Sequence, residues 1–133
     1  RGIYLRSSND VNVINNNCSF NEYYGIVSQY SGYTTVINNT CYFNLQGIHL
    51  DSSIASIINN TCSKGTFGIL SNSQNITVIH NKCINNTNGM YIASDEARIF
   101  NNTLSDNSNY GLYIISYTYP IISSTCAMVY IIK

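Results

Sequence analysis

Five thiols recur at near-constant spacing in this 133-residue chain: Cys18, Cys41, Cys62, Cys83 and Cys126, with Leu104 filling the one missed step. A column of soft sulfur ligands would suit a transition metal. Zinc and redox motifs, however, set their cysteines only a few residues apart. The steps here, counted through Leu104, are 23, 21, 21, 21 and 22 residues. Leucine replaces sulfur as a packing column allows and a ligand set does not. The cysteines therefore read as small buried hydrophobes and thiols. Neighbours in such a column would lie within disulfide reach, but no metal and no cofactor is expected. His49 and His80 fall at unrelated places in the repeat, so they read as outward substitutions rather than a ligand pair.

Carboxylates are the next candidates, because glycoside cleavage generally needs two of them roughly 5 to 10 Å apart. Asp51 stands four residues after Gly47, Asp95 six after Gly89, and Glu96 seven after Gly89. Asp10, Glu22 and Asp106 occupy yet other positions, so no two acids share a column in adjacent repeats. Asp95, Glu96 and Arg98 form the one local charge cluster, expected to be an exposed turn with a weak ion pair. Asp51, Asp95 and Glu96 are the residual catalytic candidates, and whether the chain is an enzyme stays open. Tyrosine offers a different chemistry. Tyr4, Tyr91 and Tyr113 each stand two residues after a glycine, in a column completed by Val27, His49 and Leu70. Alternation turns that column outward, so exposed rings among Asn and Ser would form a surface for sugar. The high strand preference of tyrosine explains the same residues without any ligand. Tyr23, Tyr24, Tyr30, Tyr33 and Tyr42 crowd the second repeat.

These residues must be positioned by the repeat itself. Gly2, Gly25, Gly47, Gly68, Gly89 and Gly111 are separated by 23, 22, 21, 21 and 22 residues, each followed by an apolar side chain. Two before each cysteine position stands Asn16, Asn39, Asn60, Asn81, Asn102 and then Ser124. Five before it stands Val13, Val36, Ile57, Val78, Ile99 and Ile121. A period near 22 fits three short strands joined by three turns, each coil stacking on the last at about 4.8 Å. Like residues then form ladders, and inward Asn amides can bond up and down the stack. One coil cannot bury its apolar face alone, so several must stack. Glycine and asparagine are expected to supply the turns, since both tolerate positive φ. The fold class is all-β: a right-handed parallel β-helix solenoid of about six coils of 21 to 23 residues, one domain over residues 1–133. Leucine-rich repeats want more leucine, propeller blades want about 40 residues, and α-solenoids want helix formers.

The unit Gly-Ile-x-Leu-x-x-Ser followed by x-x-Val-Ile-Asn-Asn-Thr-Cys-x-x-Asn resembles the parallel β-helix repeat of NosD-type proteins. It is also similar to the wider group of β-helix carbohydrate-binding proteins and sugar hydrolases. The resemblance covers residues 1 to about 126. It implies export to the periplasm, the cell surface or beyond, and polysaccharide as partner. Lyase or hydrolase activity follows only by analogy of fold. A structural or adhesive segment without chemistry is the alternative, and a copper accessory of the NosD kind is a third. The chain starts inside a repeat, and so is read as part of a longer protein.

Composition narrows the partners. Charged residues make up 9% and the net charge is zero, so no field draws in nucleic acid or an anionic membrane. The apolar run from Ala127 to Ile132 is too short to span a bilayer. Ile14, Ile37, Ile58, Ile79 and Phe100, with Ile122, follow the inward Val13 column. If alternation holds they form an exposed stripe and a protein contact; if the turn begins one residue later they are core. Six Asn-x-Ser/Thr acceptor patterns, at Asn17, Asn38, Asn59, Asn75, Asn85 and Asn101, arise mostly from the repeat.

Overall fold

The computed structural model describes residues 1–126 and 129–132; Ala127, Met128 and Lys133 of the C-terminal stretch lie outside the described residues. The described chain is all-β and wound as a parallel solenoid of about six turns. Three ladders of strands form its walls. Face A is built from β1 (Ile3–Arg6), the first parts of β3 (Tyr24–Ile37) and β5 (Gln46–Ile58), then β7 (Phe67–Ser71), β10 (Asn88–Ala93), β12 (Tyr110–Ile115) and β14 (Val129–Ile132). Face B takes β2 (Val11–Ile14), the second parts of β3 and β5, β8 (Asn75–Ile79), and the starts of β11 (Glu96–Leu104) and β13 (Ile121–Cys126). Face C takes β4 (Thr40–Tyr42), β6 (Thr61–Ser63), β9 (Lys82–Ile84) and the ends of β11 and β13.

Every pair of the described strands is parallel, and the registers run unbroken except for a shift between Gln29 and Ser31 in β3–β5 and one between Phe100 and Thr103 in β11–β13. Ile3, Ile26, Ile48, Ile69, Met90 and Leu112 stack on face A. Val13, Val36, Ile57, Val78 and Ile99 stack on face B, and Cys41, Cys62 and Cys83 on face C. These three columns meet in one buried core. Burial of so many branched side chains stabilises at about 1.5–3 kcal/mol each.

The corner between faces B and C has its own polar machinery. Its first residue is left-handed: Asn15, Asn38, Asn59, His80 and Asn101 have φ between 53 and 60°. Asparagine adopts that region more easily than most residues. The next residue is the inward Asn. The Asn39 amide nitrogen donates to the Asn60 side-chain oxygen at 3.0 Å and to the Val13 carbonyl at 2.8 Å, and Asn60 repeats this toward Asn81 and Val36. Asn81 and Asn102 continue the ladder, which ends on the Ser124 hydroxyl. Buried Asn side chains thus satisfy the turn's backbone, as buried polar groups must.

Three expectations change. The last coil slips: Ile122, not Ile121, pairs with Ile99, while Ile121 pairs with Arg98 and Ser123 with Phe100. Its B–C corner has a single residue, Ser124, and lacks the left-handed one, so counting back from Cys126 overshoots by one. Next, no glycine has positive φ. Glycine is required by contact instead: a Cβ on Gly25, Gly47 or Gly68 would stand 2.6 Å from the carbonyl oxygen of the next glycine in the column. On Gly68 it would also meet the Cys83 sulfur at 2.9 Å. The open question of the isoleucine stripe also closes. Val36, Ile57, Val78 and Ile99 are fully buried, so Ile37, Ile58, Ile79 and Phe100 point outward, partly covered by one another, with Ile14 exposed.

A ledge of hydroxyls lines the A–B corner. The Ser28 hydroxyl bonds Ser31 at 2.9 Å, Thr34 bonds Ser52 at 2.9 Å, and Ser71 bonds Ser73 at 2.9 Å, all buried. Ser28 and Ser71 occupy the column of Leu50. Substitution distinguishes these roles. Gly68→Ala should lower unfolding free energy by about 1–3 kcal/mol through overpacking. Asn60→Ala should cost a similar ~1–3 kcal/mol, because it orphans buried backbone groups. Asn59→Gly should change little, since glycine takes the left-handed conformation freely. Urea titration of the three variants checks this ranking.

Candidate functional site

The outer side of face A gathers most of the residues able to do chemistry. Alternation directs the column of Tyr4, Val27, His49, Leu70, Tyr91 and Tyr113 outward, and ring contacts set Tyr24, Phe67 and Tyr110 beside it, in a second column with Gln46 and the buried Asn88. The second column was missed from the sequence, yet its signal is plain: each member immediately precedes a ladder glycine. Val27 is fully buried but lies outside the core cluster, between Tyr4 and His49.

A polar centre sits in the third and fourth coils. His49 and Asp51, two apart on β5, share the outward side, and His49 Nε2 lies 3.2 Å from Asp51 Oδ1. The Asn72 amide donates to the same oxygen at 2.9 Å. The His49 and Asp51 side chains are 13% and 27% exposed. The other ring nitrogen is His49 Nδ1. That atom and Gln46 Oε1 are buried without a hydrogen-bond partner. Such atoms usually find one.

Aromatic rings flank this centre. Tyr91 and Tyr113 stack at 5.3 Å and 7°, Tyr110 tilts onto Tyr113 at 5.3 Å, and Phe67 meets Tyr91 edge-on at 6.4 Å. At the other end the Arg1 guanidinium lies 4.4 Å over the Tyr4 ring, whose hydroxyl reaches Gln29 at 3.4 Å. The expectation of exposed rings therefore holds for Tyr4 and is corrected for His49, Tyr91 and Tyr113. Tyr4 is 41% exposed, while His49, Tyr91 and Tyr113 are half-buried. A strand ladder sets like rings face to face along the rod, so they turn edges and hydroxyls outward. Burial, reinforced by the neighbouring Tyr91 and Tyr113 phenols, pushes the Tyr110 phenol up.

The three acid candidates are not brought together. Asp51 borders a groove with Asn72, Gln74 and Ser53 but no second acid. Asp95 and Glu96 are exposed at the turn between β10 and β11, and Glu96 pairs with Asn75. Among the described residues, His49–Asp51 is the charge contact within 4 Å, so the ion pair expected at Arg98 does not form. His80 is exposed at its turn. All six acceptor asparagines of the Asn-x-Ser/Thr patterns are exposed.

Sulfur is inert here. Cys18, Cys41, Cys62 and Cys83 are buried, Cys126 is half-buried, and none forms a disulfide. Burial, then the neighbouring Cys41, raises the Cys18 thiol from its ordinary 9.0 to about 11. A hydrogen bond with Cys62, then burial, raises Cys41 far more. For Cys62 the bond with Cys41 pulls down, but the bond with Cys83 and complete burial outweigh it. Among the described residues no three His, Cys, Asp or Glu side chains converge as a metal site.

Parallel ladders closed into three faces around a dry core define a β-solenoid of stacked near-identical coils. The chain belongs to the right-handed beta helix region family, which matches residues 1–126. No curated protein and no solved structure matches it. No helix among the described residues is long and apolar enough to cross a membrane.

The thiols give a direct test of the ladder. Native protein at pH 8 should label slowly, Cys126 first, and all five should react once unfolded. Because the folded pKa of Cys18 is raised, its stabilising contribution is present below about 9 and is lost as pH rises through about 11. Melting temperature against pH should fall in that window, and the fall should be shallower in a Cys18→Ala variant, the remainder coming from Cys41 and Cys62.

Proposed function

We propose that this β-helix domain is exported and binds polysaccharide along the outer side of face A. The observation that carries the reading is the polar centre of His49, Asp51, Asn72 and Gln46, framed by phenol edges. Asp51 is partly exposed and Asn72 exposed there, so a carboxylate can accept from and an amide can donate to the hydroxyls of a ligand. The hydroxyls of Tyr91, Tyr113 and Tyr110 extend the surface along the rod. A sugar chain laid across successive coils, about 4.8 Å apart, would meet the His49–Asp51–Asn72 centre in the third and fourth coils and the phenols of Tyr91 and Tyr113 in the last two.

Binding needs no carboxylate pair, whereas hydrolysis does, and Asp51, Asp95 and Glu96 sit in separate places. The surface therefore favours binding over cleavage. The carbohydrate-associated branch of the resemblance fits better than the NosD-like copper accessory, for which these residues offer no convergent ligand set. A structural or adhesive segment is the second reading, favoured by the outward Ile14, Ile37, Ile58, Ile79 and Phe100 stripe, which would then contact another protein.

A glycan array probed with the intact protein tests the choice. Tyr91→Phe keeps the ring stack and removes one hydroxyl; His49→Leu removes the polar centre. Each should weaken binding about fivefold or more, the worth of one hydrogen bond near 1 kcal/mol, with unchanged melting. Equal binding by both variants would remove face A as the site, and no bound glycan at all would leave the structural reading.

A further inference from the structure

The corner that returns the chain from face C to face A departs from the rest of the surface in the first two coils. Phe20 and Phe43 each stand two residues after a ladder cysteine, in left-handed backbone with φ of 60 and 53°. Lys64, Asn85 and Asp106 hold the same left-handed place in later coils. Asparagine and aspartate visit that region readily; for a bulky residue it is an outlier that costs free energy. The two phenylalanines are also 75% and 50% exposed. Their rings stack at 5.8 Å and 14°, and Tyr42 meets them edge-on at 5.5 and 4.6 Å. Leu45, 44% exposed, follows in the same turn. Neither the backbone nor hydration favours this arrangement, and no core packing is gained. Strained, exposed apolar groups of this kind mark contact sites.

The surroundings select the occupant. Phe20 and Phe43 share a depression with Asn21 and Glu22. Phe43 also borders the next depression along the corner, with Lys64, Asn85, Thr87 and Asp106. The corner thus passes from ring faces to amides, hydroxyls and mixed charge, with one cation against two carboxylates. A lipid surface or a hydrophobic protein arm would want the apolar part continued. A pyranose offers an apolar C–H face and a rim of hydroxyls, and a chain of them matches the sequence of surfaces. The charge balance disfavours an acidic sugar.

We propose that this corner is a second saccharide subsite, where a neutral pyranose lays its C–H face on Phe20 or Phe43 and the following units bond Asn85, Thr87 and Lys64. The assignment rests on the reading that the protein binds polysaccharide, and it places ring stacking here rather than on face A, because Phe20 and Phe43 stay largely exposed although they stack on each other, whereas Tyr91 and Tyr113 are half-buried.

The test uses Phe20→Asn/Phe43→Asn in the intact protein, since asparagine accepts the left-handed turn and folding is preserved or improved. The probes are arrayed neutral glucans, mannans, xylans and chitin fragments. The double variant should lose at least tenfold in affinity while melting at the same temperature or higher. Wild-type binding by the double variant, with loss in Tyr91→Phe and His49→Leu, would overturn the corner and keep face A. Loss in the double variant alone would support the corner and remove face A. No glycan bound by the wild type would overturn both. Capture by phosphatidylcholine vesicles that the double variant abolishes would instead make the patch a lipid contact and overturn the subsite.

Discussion

The solenoid depends on one interaction: a buried asparagine amide that bonds the same amide one coil away. A turn in the chain's interior leaves backbone groups that water cannot reach. Asn39, Asn60, Asn81 and Asn102 satisfy them by donating to carbonyls of their own and the preceding coil and accepting from the neighbouring amide. The ladder works only if each coil repeats the last in register. That requirement fixes the isoleucine and valine columns, because a one-residue slip would turn every core side chain outward.

A second constraint complements the first at the opposite corner. Glycine and cysteine face each other between faces C and A, at separations that leave no space for a glycine Cβ. Small sulfur side chains fill what remains, and their burial holds them as thiols. The chemistry suggested by five cysteines is thereby absorbed into packing. With the interior occupied by these ladders, any recognition must fall to outward side chains and turns. The coils differ most there, as the change from Phe20 and Phe43 to Lys64, Asn85 and Asp106 shows.

The outer surface follows rules of its own. Ladder geometry places like side chains one rung apart, so aromatic residues in one column stack and protect each other's faces, as Tyr91 and Tyr113 do. At the corner Phe20 and Phe43 also stack on each other, yet they remain more exposed than Tyr91 and Tyr113. The same fold therefore offers two kinds of aromatic surface, half-buried ring edges on a strand face and largely exposed rings at a turn.

The sequence by itself determined the coils and the columns, and the inward side of the glycine-following, valine and cysteine columns, because identical spacing in a stacked chain forces identical position. It also placed Tyr4, His49, Tyr91 and Tyr113 in one column, and put His49 and Asp51 two apart on one side of a strand. Tertiary structure alone decided where each turn begins. That choice set the Ile14 stripe outward and moved Ile122 into the core column of the last coil, whose corner is one residue short. It also decided that the glycines answer to close contact rather than to positive φ, and that face A rings shield one another. Those outcomes depend on distances between coils, and a one-dimensional period carries position along the chain but not the space left between neighbours.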